Sequence, residues 1–190
     1  MHDLMPFIFH PMDEATARVV LAWHYPPPYD VYNEAPERLA MVVQELLRPD
    51  YHYYRMAEGS DPLAAYCCFG LDARVAGGDY ALEALDLGLM VRPDLTAQGR
   101  GVQFAAAVLA FAQQSFPQRV WRVTIAEFNR RAQRVWQRLG FAPAHKFRRR
   151  GDGLDFGIWI LDERGTKAPD RSRSWKGWGA PRITGPANRI

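Results

Sequence analysis

At 190 residues, 48% apolar and 24% charged, the chain has the size and composition of one globular domain, which excludes fibres and wholly disordered chains. No run approaches the ~18–20 apolar residues of a membrane span. The first residues lack a basic-then-apolar leader, and adjacent Cys67 and Cys68 cannot build a disulfide framework, so a cytoplasmic protein is expected. The formal charge is +3, with +4 on residues 161–190 and −1 on residues 1–160. A body coated for nucleic acid is therefore not expected, and any attraction to polyanions sits in the tail.

Residues 6–10 read as a strand. Asp13 and Glu14 open a helix through Val19, Val20, Leu21 and Trp23, with acids at the end the helix dipole favours. Pro26 to Pro28 stop it, and a polar, aromatic loop follows. The spacing of Leu39, Val42, Val43, Leu46 and Leu47 predicts a second helix over about 36–47. Residues 51–57 and 63–70 pattern as paired strands, and 85–91 as a strand halted by Pro93. A glycine-bearing turn at 98–101 leads into an Ala-rich helix with Phe104, Val108 and Phe111 on one stripe. Residues 120–126 form the next strand. Asn129 caps a helix with Ala132, Val135, Trp136 and Leu139 inside, Arg130, Arg131, Arg134 and Arg138 outside, and Gly140 as its stop. Strands over about 145–149 and 154–160 complete the order β-α-α-β-β-β-α-β-α-β-β.

The strand 85–91, the turn after it and the helix that follows carry the chemistry. Unpaired amides and a helix dipole converge at such a turn and favour a phosphate. Gly99 and Gly101 are expected there for positive φ and close backbone approach. The Walker pattern is absent. The Rossmann pattern also fails, because Val102, Gln103 and Phe104 follow Gly101 without a third glycine.

Two motifs together resemble the GNAT superfamily of acyl-CoA N-acyltransferases. Gln98-x-x-Gly101-x-Gln103 follows that family's Arg/Gln-x-x-Gly-x-Gly/Ala loop except at its last position. Asn129, Ala132, Gly140 and Phe141 follow its Asn-x-x-Ala-x-x-x-Tyr-x-x-x-Gly-Phe segment, with Trp136 where tyrosine is usual. The resemblance implies a single α/β domain over 1–160: a mixed, mostly antiparallel sheet splayed at a cofactor wedge, with flanking helices. It implies acetyl-CoA as co-substrate without a metal, and transfer of acetyl to a primary amine. Leu89, Met90 and Val91 would carry a bulge whose backbone pairs with the pantetheine arm, one amide facing the thioester oxygen. The amides of Gln98, Gly99, Arg100, Gly101, Val102 and Gln103 would hold the pyrophosphate. Asn129 would reach the pantetheine, and Trp136 would lie beside the sulfur.

An ammonium must lose its proton before it attacks. Asp86, five residues before Val91, is the leading base, with Glu127 and Glu83 as runners-up. Trp23, Tyr25, Tyr29, Asp30 and Tyr32 are the expected acceptor pocket, since aromatic faces beside carboxylates suit a cation. Cys67 and Cys68 should point to opposite faces of one strand, and the scattered histidines show no metal-ligand spacing. The basic, Trp-containing tail 161–190 suits an anionic partner, its own body, or a partner subunit in a homodimer. Two rival readings stand beside catalysis: a coenzyme A-binding module without turnover, and a nucleic-acid-associated protein using the tail.

Overall fold

The computed structural model describes residues 7–165 and 182–183. The elements are β1 (Phe7–Pro11), α1 (Glu14–Leu21), α2 (Leu39–Leu46), β2 (Tyr54–Glu58), β3 (Asp61–Phe69) and β4 (Leu85–Val91). They continue with α3 (Gly101–Ser115), β5 (Val120–Ala126), α4 (Arg130–Arg138), β6 (Ala142–Arg148), β7 (Asp155–Asp162) and the two-residue β8 (Arg182–Ile183). One open sheet orders these strands β6-β7-β5-β4-β3-β2-β1-β8. The pairings are antiparallel except β4 with β5 and β8 with β1. Among the described residues no helix is long and apolar enough to cross a membrane. The Arg171–Trp178 segment of the tail lies outside them.

Alternation along the strands gives each face its own core. Leu85 and Leu87 of β4, with Trp121, Val123 and Ile125 of β5, meet Phe104, Val108 and Phe111 of α3 and Trp136 of α4. On the other face Ala17 and Val20 of α1 pack with Val42, Val43 and Leu46 of α2, over Tyr53 and Tyr66. Asp13 caps α1 by accepting from the Thr16 N–H at 2.8 Å. Val19, expected on the buried stripe, is instead 51% exposed, because the short α1 turns Ala17 and Val20 inward. Cys67 and Cys68 are both buried free thiols, and burial pushes the Cys68 thiol up to about 12.

Candidate functional site

β4 and β5 run parallel but pair only at Leu85↔Trp121 and Asp86↔Arg122, then separate. On its other side β4 keeps an unbroken register with β3, from Phe69↔Leu87 to Ala65↔Val91. The bulge expected at Leu89, Met90 and Val91 is therefore absent. Bonds from the Gly70 N–H to the Asp86 carbonyl and from the Arg92 N–H to the Ala64 carbonyl, at 2.9 and 3.0 Å, extend the regular ladder at both ends. In an antiparallel ladder alternate residues face the partner. Residues 86, 88, 90 and 92 thus face β3; the Asp86↔Arg122 pair engages the Leu87 N–H, which leaves the Leu87 carbonyl and the backbone groups of Leu89 and Val91 directed into the gap toward β5. An extended ligand arm can add there as a strand does. The Val91 carbonyl also accepts a hydrogen bond from the Tyr25 hydroxyl at 2.9 Å.

The turn after β4 holds Ala97 at φ 60° and Gly99 at φ 76°. Among the described residues, the N–H groups of 98–102 make no backbone hydrogen bond, while those of Gln103 and Phe104 both donate to the Arg100 carbonyl, at 2.9 and 3.4 Å. The donor stretch is therefore one residue shorter than the sequence implied. The Gln98 side chain donates to the Asp94 carbonyl at 2.7 Å, and the Arg100 guanidinium pairs with Glu58 and with Gln103 Oε1. Gly101 is not a positive-φ residue. It is the first residue of α3, and a Cβ there would lie 2.8 Å from Val135 Cγ2 on α4, so the glycine is required by helix contact. Gly101→Ala should cost about 1–3 kcal/mol through overpacking. Thermal melts check this, and Val135→Ala in the same chain should recover part of the loss.

Asn129 caps α4: its Oδ1 accepts from the Ala132 N–H at 3.1 Å, and its Nδ2 donates to the Tyr32 hydroxyl at 3.2 Å. Trp136 is 5% exposed and meets Phe141 edge-on in the core. Its indole serves packing and offers no titratable proton.

Neither expected base is placed for that work. Asp86 is 1% exposed, and Arg122 donates to its two carboxylate oxygens at 2.5 and 2.8 Å. Arg74 adds a third bond at 2.8 Å, and the Tyr80 ring lies under both guanidiniums. A carboxylate saturated by two cations at the closed end of the gap is a structural anchor, which corrects its assignment as the base. Glu127 lies on the α4 face, with Oε2 2.6 Å from Lys146 Nζ. It sits in a cavity of about 220 Å³ with Arg130, His145 and Trp159, across the sheet from α1 and α2. Glu83 is exposed, before the start of β4.

A second cavity, about 230 Å³, opens on the α1–α2 face beside the end of β4. Of the residues expected to receive the acceptor, Trp23, Tyr25 and Tyr32 line this cavity, and Tyr29 and Asp30 do not. Tyr29 is held between Phe128 and Arg131, and Asp30 is exposed. The sequence did not single out Glu34, Arg38, Glu45, Tyr53, Tyr66, Asp72 or Met90, which complete the lining. Period-2 alternation away from Leu87 and Leu89 was the available signal for Met90. For Glu45 it was a charge three residues after Val42, flanking an apolar stripe. Arg38 pairs with Glu34 at 2.9 Å, and the Tyr53 hydroxyl donates to Asp72. Burial pushes the phenols of Tyr25, Tyr53 and Tyr66 above the ordinary tyrosine value, so all three stay neutral donors through the physiological range. The geometry is thus a gap with a free strand edge and a helix N-terminus on one side, and an aromatic, acidic cavity on the other.

Residues 17–141 match the acetyltransferase (GNAT) family. No curated protein sequence matches the chain. Among solved structures, a point mutant of the spermidine N-acetyltransferase from Vibrio cholerae superposes with a TM-score of 0.61 at 11% identity, covering 88% of this chain and 98% of that one. An aminoglycoside N(6′)-acetyltransferase from Legionella pneumophila gives 0.62 at 18% identity, over 83% and 92%. A putative acetyltransferase from Salmonella typhimurium, solved with its cofactor acetyl-CoA, gives 0.54 at 20% identity, over 87% and 98%. At these identities the likeness is one of fold.

Proposed function

The chain belongs to the acetyltransferase (GNAT) family, and on that footing we propose that it moves an acetyl group from acetyl-CoA to a primary amine by direct attack on the thioester. The observation that carries this reading is the parting of β4 from β5 after Asp86, with an acceptor cavity against the end of the same strand. Bound acetyl-CoA supplies an acyl group already activated as a thioester. The gap-facing backbone groups of Leu87, Leu89 and Val91 suit its extended arm, and a fixed amide among them suits the developing oxyanion. The free amides of 98–102, at the head of the 15-residue α3, suit the pyrophosphate. Tyr25 links the two halves of the site, because it lines the cavity and bonds to the Val91 carbonyl.

Incubating the full chain with acetyl-CoA and a panel of primary amines should release free thiol in a 1:1 ratio with acetylamide. Coenzyme A at ~100 times its Kd should add ~2.7 kcal/mol of stability, a rise in melting temperature of about 5–10 °C. A module that binds coenzyme A without turnover is the second reading, favoured by the engagement of both Asp86 and Glu127 in ion pairs. It predicts the thermal shift without thiol release. No shift and no release sink both readings.

A further inference from the structure

We propose that the acceptor is a small aliphatic diamine or polyamine that enters the 230 Å³ cavity as a dication, with Glu45 holding the ammonium that is not acetylated. This rests on the acetyl-transfer reading above and names the substrate class of the same site.

Three observations select that chemistry. The first is charge. Glu34, Glu45 and Asp72 line the cavity, and Arg38 cancels one of them, which leaves −2 facing the space. Glu45 makes no side-chain ion pair or hydrogen bond among the described residues. A partly buried carboxylate without a partner is costly until a cation arrives.

The second is the wall between the charges. Val20, Leu21, Val42, Leu46 and Met90 supply an apolar lining for methylene groups. The rings of Trp23, Tyr53 and Tyr66 stand together, with centroids 5.6 Å apart for Trp23–Tyr66 and 6.2 Å for Tyr53–Tyr66. Such faces attract ammonium groups. The Tyr66 hydroxyl has no hydrogen-bond partner among the described residues, and burial keeps it protonated.

The third is size and length. The cavity is smaller than the ~300–1,000 Å³ of sites for drug-sized ligands, which disfavours an aminosugar or a folded peptide end. Glu45 projects from the last turn of α2, whereas Arg38, which pairs with Glu34, stands just before its first turn, so the free carboxylate is set apart from the end beside the gap. The near end, with Glu34 and Tyr25, adjoins Val91 and the gap. The far end, with Glu45, is where a second nitrogen comes to rest.

The test compares 1,4-diaminobutane and 1,8-diamino-octane with n-pentylamine, which has as many non-hydrogen atoms as the shorter diamine. The kcat/KM ratio of 1,4-diaminobutane over n-pentylamine should be at least tenfold in the parent. It should fall to about twofold or less in Glu45→Gln, while Asp162→Asn, a charge removed at the end of β7 where it pairs with Arg164, preserves it. In parallel, calorimetric titration of 1,4-diaminobutane into the chain saturated with coenzyme A should show binding that weakens about tenfold in Glu45→Gln. Acetylation of all amines with equal kcat/KM overturns the diamine assignment and leaves acetyl transfer standing. Diamine binding without any acetylation keeps the site and overturns the transfer reading. Equal ratios in parent and Glu45→Gln, or no heat of binding in either, mean that Glu45 holds no ammonium and the inference is wrong.

Discussion

Asp86→Asn is expected to lower stability by about 3–5 kcal/mol, because it leaves Arg122 buried with only part of its charge answered. For a domain of this size that is a drop of roughly 6–20 °C in melting temperature. Arg122 is 1% exposed, and its remaining bond is to the Leu82 carbonyl at 2.9 Å. Replacing both partners with apolar residues, Asp86→Leu with Arg122→Met, should recover most of the loss, since a packed apolar pair avoids desolvation altogether. Thermal and urea melts of the two variants decide the matter. If Asp86→Asn melts within 2 °C of the parent but loses turnover at pH 7 and regains it at pH 9, the residue is a base after all.

The second large effect is on pH. An aliphatic ammonium has a pKa of ~10.4, so the attacking free amine grows about tenfold per pH unit below that value. With neither expected carboxylate placed to take the proton, kcat/KM should climb about a hundredfold from pH 7 to pH 9. A falling limb would require a phenol in the site to lose its proton. Burial raises the pKa of Tyr25, Tyr53 and Tyr66, which means their protonated forms persist to higher pH than usual. The climb should therefore continue to about pH 10 without turning down. Trp136 adds no titration of its own, and a thiol of pKa ~8.5 leaves readily as thiolate in this range. Initial rates with an aliphatic amine, corrected for the uncatalysed reaction, test this. A plateau already reached at pH 7 would reveal a base with a pKa below 7 in the site, and Glu34 is the first to vary.

The elements legible in the sequence are those with local causes. β4 and β5 begin and end where alternation and their flanking turns set them, and Asn129 caps α4 by its own side chain. What escaped depends on register between distant segments. Nothing near Asp86 reveals that Arg122, 36 residues on, will sit opposite it across a parallel pair. Gly101 looked like a turn glycine because its reason, Val135 on another helix, lies in tertiary contact. Regular pairing replaced the expected bulge because β3 offers β4 an uninterrupted ladder, which local sequence does not report. The aromatic loop announced Trp23, Tyr25 and Tyr32, whereas Glu45 and Asp72 reach the cavity from separate elements.

The two rungs that join β4 to β5 also have a mechanical meaning. The sheet is two leaves, β1–β4 with β8 on one side and β5–β7 on the other, riveted at Asp86–Arg122, joined by one core under α3 and α4, and tied beyond the open end by Tyr32 to Asn129. Pulling the free ends of β4 and β5 apart breaks no rung of the ladder, because beyond Asp86 there is none to break. Backbone pairing thus joins the leaves at one end, while at the mouth side chains join them, Tyr32 on Asn129 and Tyr29 on Phe128. A ligand arm that enters the mouth therefore meets side chains, and seating it costs neither leaf a rung of its ladder.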